Sequence, residues 1–197
     1  QTWSFPSANI VFGDKKGAIG YWVLGALPIR PPHIESDGNK AYFAKSDADL
    51  WQGFIPFTFL PHVINPKRGY LISANHRPIQ SFYPLDIGIS TGSLGDTGRS
   101  WRLRERMEEK ASFIPEEILN IHYDDVNPVK REILHLAYYM RDVQGVEFSA
   151  NALNSLSYLT HWYKSGCQSD MDIPGTELAN LIRPFFRMGR TELAVKY

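Results

Sequence analysis

The hydrophobic period of this chain changes once, near residue 95, and that change constrains the fold more than any other feature. Before it, short aromatic and β-branched runs are separated by turn residues, and most of the prolines and glycines fall there. Such a pattern reads as strands and loops. From about Ser100 the apolar residues recur at three and four, with Gly and Pro at the boundaries, which is the helical period. Strands followed by helices predict an α+β fold rather than alternating α/β. The expected organisation is a strand-and-loop region over 1–95 and a helical region over 96–197.

The clearest early unit is Asn9 to Phe12, a turn over Gly13-Asp14-Lys15-Lys16-Gly17, and a second run from Ala18 to Gly25. Two apolar runs around an Asp/Gly turn predict a β-hairpin, and their lack of polar alternation predicts that both strands are buried. A long irregular loop is expected from Pro28 to about Asp47, and a third short strand at Gly69 to Ala74. In the second half, Trp101, Leu103 and Met107 lie among seven charged residues from Arg102 to Lys110, predicting a solvated, ion-paired helix. Ser112 with Pro115-Glu116-Glu117 predicts a short second helix, and Asn127-Pro128 a third carrying Ile133, Leu134, Leu136, Ala137 and Met140 on one face. Ser149 is placed to cap a fourth with Leu153, Leu156, Leu159 and Trp162, and Gly175-Thr176 begins a fifth that Pro184 should kink or end.

Charge and composition exclude several function classes. With 21 Lys plus Arg against 21 Asp plus Glu in 197 residues, the net charge is zero and no long basic stripe exists to gather phosphates, so no nucleic-acid role is expected. The most continuous apolar stretch, Gly17 to Ile29, holds four Gly or Pro residues and falls short of the roughly 20 residues a membrane span needs. No signal peptide is visible at Gln1-Thr2-Trp3-Ser4, and a start at Gln rather than Met predicts a chain that has been cut or processed. One cysteine, Cys167, excludes an internal disulfide framework.

Conventional chemical signatures are missing. The six histidines, at 33, 62, 76, 122, 135 and 161, form no HxxxH or HxxEH pair, and solvated or core-satisfied imidazoles are the better reading. Glu116-Glu117 and Asp124-Asp125 read as helix-terminal charge, because neighbouring residues on a helix do not face each other as a catalytic carboxylate pair must. No nucleophile elbow supports an independent hydrolase built from Ser73, His76 and Asp86. Trp22, Trp51, Phe54, Phe57 and Phe59 either line a ligand pocket or pack a core, and at 13% aromatic content the core is expected. What remains is polar residues in and after the hairpin. Asn9, before an apolar strand, is either a capping or turn amide or a non-titrating N–H donor aimed at a developing oxyanion. Arg30 either anchors its loop or orients a substrate or catalytic group, and Asp14 sits at the turn.

At this hairpin the wording resembles the penicillin acylase (penicillin amidase) family of N-terminal-nucleophile hydrolases. The matching residues are Asn9, Asp14, Gly17, Ile19-Gly20-Tyr21, Gly25, Pro28 and Arg30, then Trp51, Gly53, Pro56-Phe57, Leu60-Pro61, Asn65-Pro66, Gly69-Tyr70 and Ala74-Asn75. Their order and spacing across 9–75 carry the likeness; the helical half resembles the family only loosely. Departures are Gly13 before Asp14, where the family commonly has Ala, and Ala18 in place of Asn before Ile19-Gly20-Tyr21.

The resemblance implies an internal segment of a β chain from an αββα enzyme, whose Ser nucleophile, with its own α-amino group as base, lies outside these residues. It implies Asn9 as the oxyanion-hole amide and Arg30 as the site-organising guanidinium. Amide hydrolysis, a periplasmic or extracellular location, and partners comprising a small-molecule amide and the rest of the precursor are implied in the same way. No cofactor is required by that chemistry; calcium binds some members, with Asp14 a contributor at most and no ligand set assignable. A non-catalytic binding module that kept the hairpin and lost the enzyme is the alternative, and a cut segment of either kind should tend to self-associate.

Overall fold

Asp14 shows how local chemistry starts the fold. Its Oδ1 accepts hydrogen bonds from the backbone N–H groups of Lys16 and Ala18, both at 2.8 Å. Gly17 takes a positive φ of 87°, which closes the turn without a Cβ penalty. In this computed structural model, which describes residues 3–34, 41–79, 82–88 and 97–181, that turn joins β1 (Ala8–Gly13) to β2 (Ile19–Leu24). A third strand, β3 (His62–Ile64), completes an antiparallel sheet in the order β1-β2-β3. The chain divides into two units, Gln1–Ser100 and Trp101–Tyr197, and the α+β architecture is as the sequence predicts.

In the first unit the core lies against β2. Tyr21, Val23, Leu27, Ile55 and Leu60 form a buried cluster. The expectation that both hairpin strands are buried fails for β1, where Ile10, Val11 and Phe12 are all exposed. β1 is the edge strand, and an apolar run without alternation looks the same in sequence whether one face, both or neither is covered. The third strand also falls at a different place. Among the described residues, 69–74 pair with no strand, although Ile72 and Ala74 are buried; their alternation gives a strand-like signal without a ladder. β3 was masked in the sequence by its flanking prolines, Pro61 and Pro66. Pairing nevertheless runs past its ends, Val23 N–H donating to Pro61 O at 2.9 Å and Asn65 bonding Ile19.

Asn65 makes that second contact twice. Its N–H donates to Ile19 O at 2.8 Å, and its side-chain Oδ1 accepts from Ile19 N–H at 2.9 Å. A positive φ of 47°, which Asn tolerates better than most residues, turns the chain there. Farther along, Ala74 O accepts from Thr97 Oγ1 at 2.8 Å, and Asn75 Oδ1 accepts from Arg99.

The helices begin where their caps are. α1 (Gly98–Glu108) starts after Thr97, whose Oγ1 accepts from Ser100 N–H at 3.1 Å while Ser100 Oγ accepts from Thr97 N–H at 2.8 Å, a reciprocal cap. α2 (Pro115–His122) has Pro at its first position, and Ile114, not Ser112, precedes it; Glu117 reaches back to Ile114 N–H at 3.0 Å. Asn127 and Ser149 cap α3 (Pro128–Asp142) and α4 (Ala150–Lys164) through bonds from Lys130 N–H and Ala152 N–H, each 3.2 Å. Residues 174–181 are helical, and Pro184 lies outside the described residues. Leu134, Leu156, Leu159, Trp162, Cys167 and Ala179 form the second core. Among the described residues no helix is long and apolar enough to cross a membrane.

Candidate functional site

Asn9 sits on β1 directly opposite Val23. Residues paired across a ladder project from the same face, so Asn9 shares its face with Val23, and by alternation with Tyr21, both buried in the first core. On an exposed strand of otherwise apolar residues it is the polar exception. Among the described residues its side chain makes no hydrogen bond, so both N–H donors of the amide are available to an acceptor. The capping or turn role open to it in the sequence is therefore not the one it fills. Nearby, burial pushes the Tyr21 phenol up to about 12, which keeps it protonated at neutral pH.

Arg30 is carried by a short antiparallel pairing of its own. Leu27 O accepts from Ile55 N–H at 2.8 Å, Gly53 O from Ile29 N–H at 2.9 Å, and Ile29 O from Gln52 N–H at 2.9 Å, with Pro28 bridged to Phe54. The guanidinium lies close against Gly88, where an added Cβ would stand 3.1 Å from Nη2 and 3.2 Å from Nη1. Arg30 Nη1 is buried and, among the described residues, has no hydrogen-bond acceptor. No hydrogen bond joins Asn9 to Arg30 among those residues. Three residues beyond Arg30, His33 Nε2 meets Asp49 Oδ1 at 2.8 Å. The hydrogen bond from His33, with backbone N–H bonds from Lys45 and Ser46, holds the Asp49 carboxyl below the usual carboxylate range.

The other candidates are placed as follows. Asp14 is engaged by its turn, and among the described residues no group of three or more His, Cys, Asp or Glu side chains converges. Asp86 Oδ1 accepts from Gly88 N–H at 2.8 Å, an Asx turn rather than a partner for His76. Glu116 and Glu117 lie in the first turn of α2, and Asp124 follows its end, bound by Arg102 at 2.7 Å. The aromatics do not form the expected core: Trp51, Phe54 and Phe59 are 60%, 56% and 61% exposed. Trp22 is half-buried, stacked between Phe57 at 4.7 Å and His62 at 4.0 Å. The His33–Asp49 pair and the His62 stack escaped sequence reasoning. Only the isolated Pro31-Pro32-His33 run hinted at a built turn.

Comparison with known proteins gives this geometry a context. A family model described as penicillin amidase matches residues 1–188. The chain is 29% identical over 126 residues to the penicillin acylase 2 proenzyme of a Pseudomonas species, covering 64% of this chain and 16% of that protein. It is 26% identical over 162 residues to penicillin G acylase of Escherichia coli, covering 78% of this chain and 18% of that one. Among solved structures, a thermostable penicillin G acylase from Alcaligenes faecalis superposes with a TM-score of 0.60 at 26% identity, over 80% of this chain and 27% of that chain. The chain thus spans less than a third of each of these relatives.

Proposed function

The chain belongs to the penicillin amidase family, and from that premise we propose that it is an internal segment of an amide-hydrolysing enzyme to which it contributes Asn9 and Arg30. The observation that carries the reading is the Asn9 amide, set on an apolar strand with its side chain making no hydrogen bond among the described residues.

The reaction is nucleophilic acyl transfer. A Ser outside this chain, at the start of the processed β chain, attacks the amide carbonyl while its own α-amino group takes the hydroxyl proton. Negative charge gathers on the carbonyl oxygen, and Asn9 Nδ2–H donates to it. An amide side chain suits that task because it donates without titrating and needs no reorganisation at the moment of reaction. The amine leaves with a proton, and water releases the acyl group from Ser. Arg30 organises the site around these groups. No cofactor takes part in these steps. The substrate is a linear amide, such as a β-lactam side chain or an acylated homoserine lactone, met in the periplasm or outside the cell. The rest of the precursor is the obligatory partner. A Pseudomonas relative is named a proenzyme, which supports processing before activity.

The test uses the whole parent protein. Intact mass and N-terminal sequencing should find a heavy chain that begins with Ser and contains Asn9. Asn9→Ala should then lower kcat by about 100- to 1,000-fold with KM little changed, the loss typical of one oxyanion donor. A single unprocessed chain would leave the non-catalytic module as the reading, whereas full activity in Asn9→Ala would remove Asn9 from the oxyanion hole. The isolated chain should show no turnover; appreciable activity from it would instead favour a self-contained hydrolytic site within this chain.

A further inference from the structure

The geometry points to His33 and Asp49 as a positioning pair that fixes the strand carrying Arg30. This rests on the reading of Arg30 just given. The backbone pairing of 27–29 with 52–55 ends at Ile29 for a covalent reason. Pro31 and Pro32 follow Arg30 and have no N–H to donate, so the ladder cannot run on through them. Arg30 would therefore stand at the frayed end of a two-stranded pairing. The next anchor is a side chain: Ile34 N–H donates to Pro31 O at 3.0 Å, closing a turn with His33 inside it, and His33 Nε2 reaches Asp49 Oδ1 at 2.8 Å. Asp49 ends a 3-10 turn over Asp47–Asp49, just before the segment 52–55 that pairs with 27–29. Arg30 is held on one side by backbone bonds and on the other by this pair.

Asp49 is built as a fixed point. Its Oδ2 accepts from Lys45 N–H at 2.7 Å and from Ser46 N–H at 3.1 Å, and its backbone carbonyl accepts from the Tyr42 hydroxyl at 2.7 Å. The Asp49 side chain is 14% exposed and that of His33 54%. An ionised carboxylate can only accept, so the proton between them sits on His33 Nε2. Asp49 is thus the rigid end and His33 the strap. His33 touches no reacting atom in this scheme; it acts through Arg30.

The experiment is kinetics on the processed parent enzyme with a series of chromogenic N-acyl nitroanilides, using whichever the wild type turns over fastest. His33→Ala should lower kcat roughly ten-fold, as expected for a sub-ångström loss of positioning, with KM and the melting temperature little moved. His33→Gln should recover most of the rate, because its Nε2–H can reach Asp49. In an Arg30→Ala background, His33→Ala should cost nothing more, since the two act as one unit. Independent, multiplying losses would overturn the proposal, as would a His33→Ala enzyme with wild-type kcat. Should His33→Ala fail to fold, His33→Asn decides: Asn is too short to span the gap and should lose kcat where Gln retains it, and equal rates would overturn the pair. The reading beneath it fails separately, through an Arg30→Ala enzyme with wild-type kinetics or a wild type with no turnover.

Discussion

Gly175 sets two residue-scale effects against each other. Replacing a helical Gly by Ala should gain up to about 1 kcal/mol from propensity alone. Yet a Cβ at Gly175 would lie 2.3 Å from Trp162 Cβ and 2.6 Å from the Tyr158 carbonyl oxygen. Neither atom is the free end of a side chain, and Trp162 is fully buried with its indole N–H on Gln168 O. Overpacking of this kind costs about 1–3 kcal/mol, so the clash wins and Gly175→Ala should lower the urea midpoint of the second unit. An unchanged midpoint would show that 174–181 does not press on α4 this closely. What the sequence reveals at this scale depends on how far away a residue's partner lies. Asp14, Asn127 and Ser149 act on groups two to four residues away, and their roles are readable from local spacing. Asn65 and His33 act across 46 and 16 residues, to Ile19 and Asp49, and nothing local announces such a pairing. Asn9 lies between these cases: its polarity in an apolar strand is visible in the sequence, but its lack of a hydrogen-bond partner among the described residues is not.

At the scale of elements, helices are legible and strands only half so, because a helix carries its start signal and its buried face in one short window. A strand's burial depends on neighbours elsewhere in the chain, which is why β1 was expected inside and β3 was expected eight or so residues too late. The ionic helix α1 was legible as solvated and ion-paired; its partners were not. Arg102 holds Asp124 through two bonds of 2.7 and 2.8 Å and Glu105 at 3.0 Å, and Arg131 on α3 also engages Glu105. The Arg131 hydrogen bond holds the Glu105 carboxyl below its usual range despite opposing desolvation. At Asp124 desolvation is the largest single influence and pushes upward, but the combined pull of Arg102 and Arg106 leaves that carboxyl lowered too. Both folded values therefore lie below the unfolded values, about 4 for such groups. Between the two, the unfolded chain binds more protons, so stability is full above pH about 5 and falls as the pH drops through the folded values. Glu105→Gln should cost about 1 kcal/mol at neutral pH, a modest figure because the network is partly solvated, and should flatten the acid limb of a urea-midpoint titration between pH 6 and 3. An unaltered limb would mean that other carboxylates set the acid stability.

For the whole molecule, the composition that places the chain among globular proteins says nothing about which apolar residues are left uncovered, and the structure leaves many on the first unit. β1 offers Ile10, Val11 and Phe12 on an edge strand whose outer N–H and C=O groups have, among the described residues, no neighbouring strand in the sheet, and Trp51, Phe54 and Phe59 are exposed as well. An apolar edge of this kind is a template for pairing with another chain. The chain also covers only 16% and 18% of two acylase relatives. By itself it should therefore associate with copies of itself, giving a sedimentation-average mass that rises with concentration. Val11 faces the same side as buried Tyr21, its direct partner across the hairpin, yet is itself half-exposed. Lys there would keep the β2 contacts and place a charge on the edge, the device by which natural sheets block edge pairing. Val11→Lys should return the chain toward the monomer mass of 22.5 kDa without changing its circular dichroism. A wild-type chain that stays monodisperse and monomeric at high concentration would instead mean that the exposed edge does not recruit a partner, and that its apolar side chains are tolerated in water.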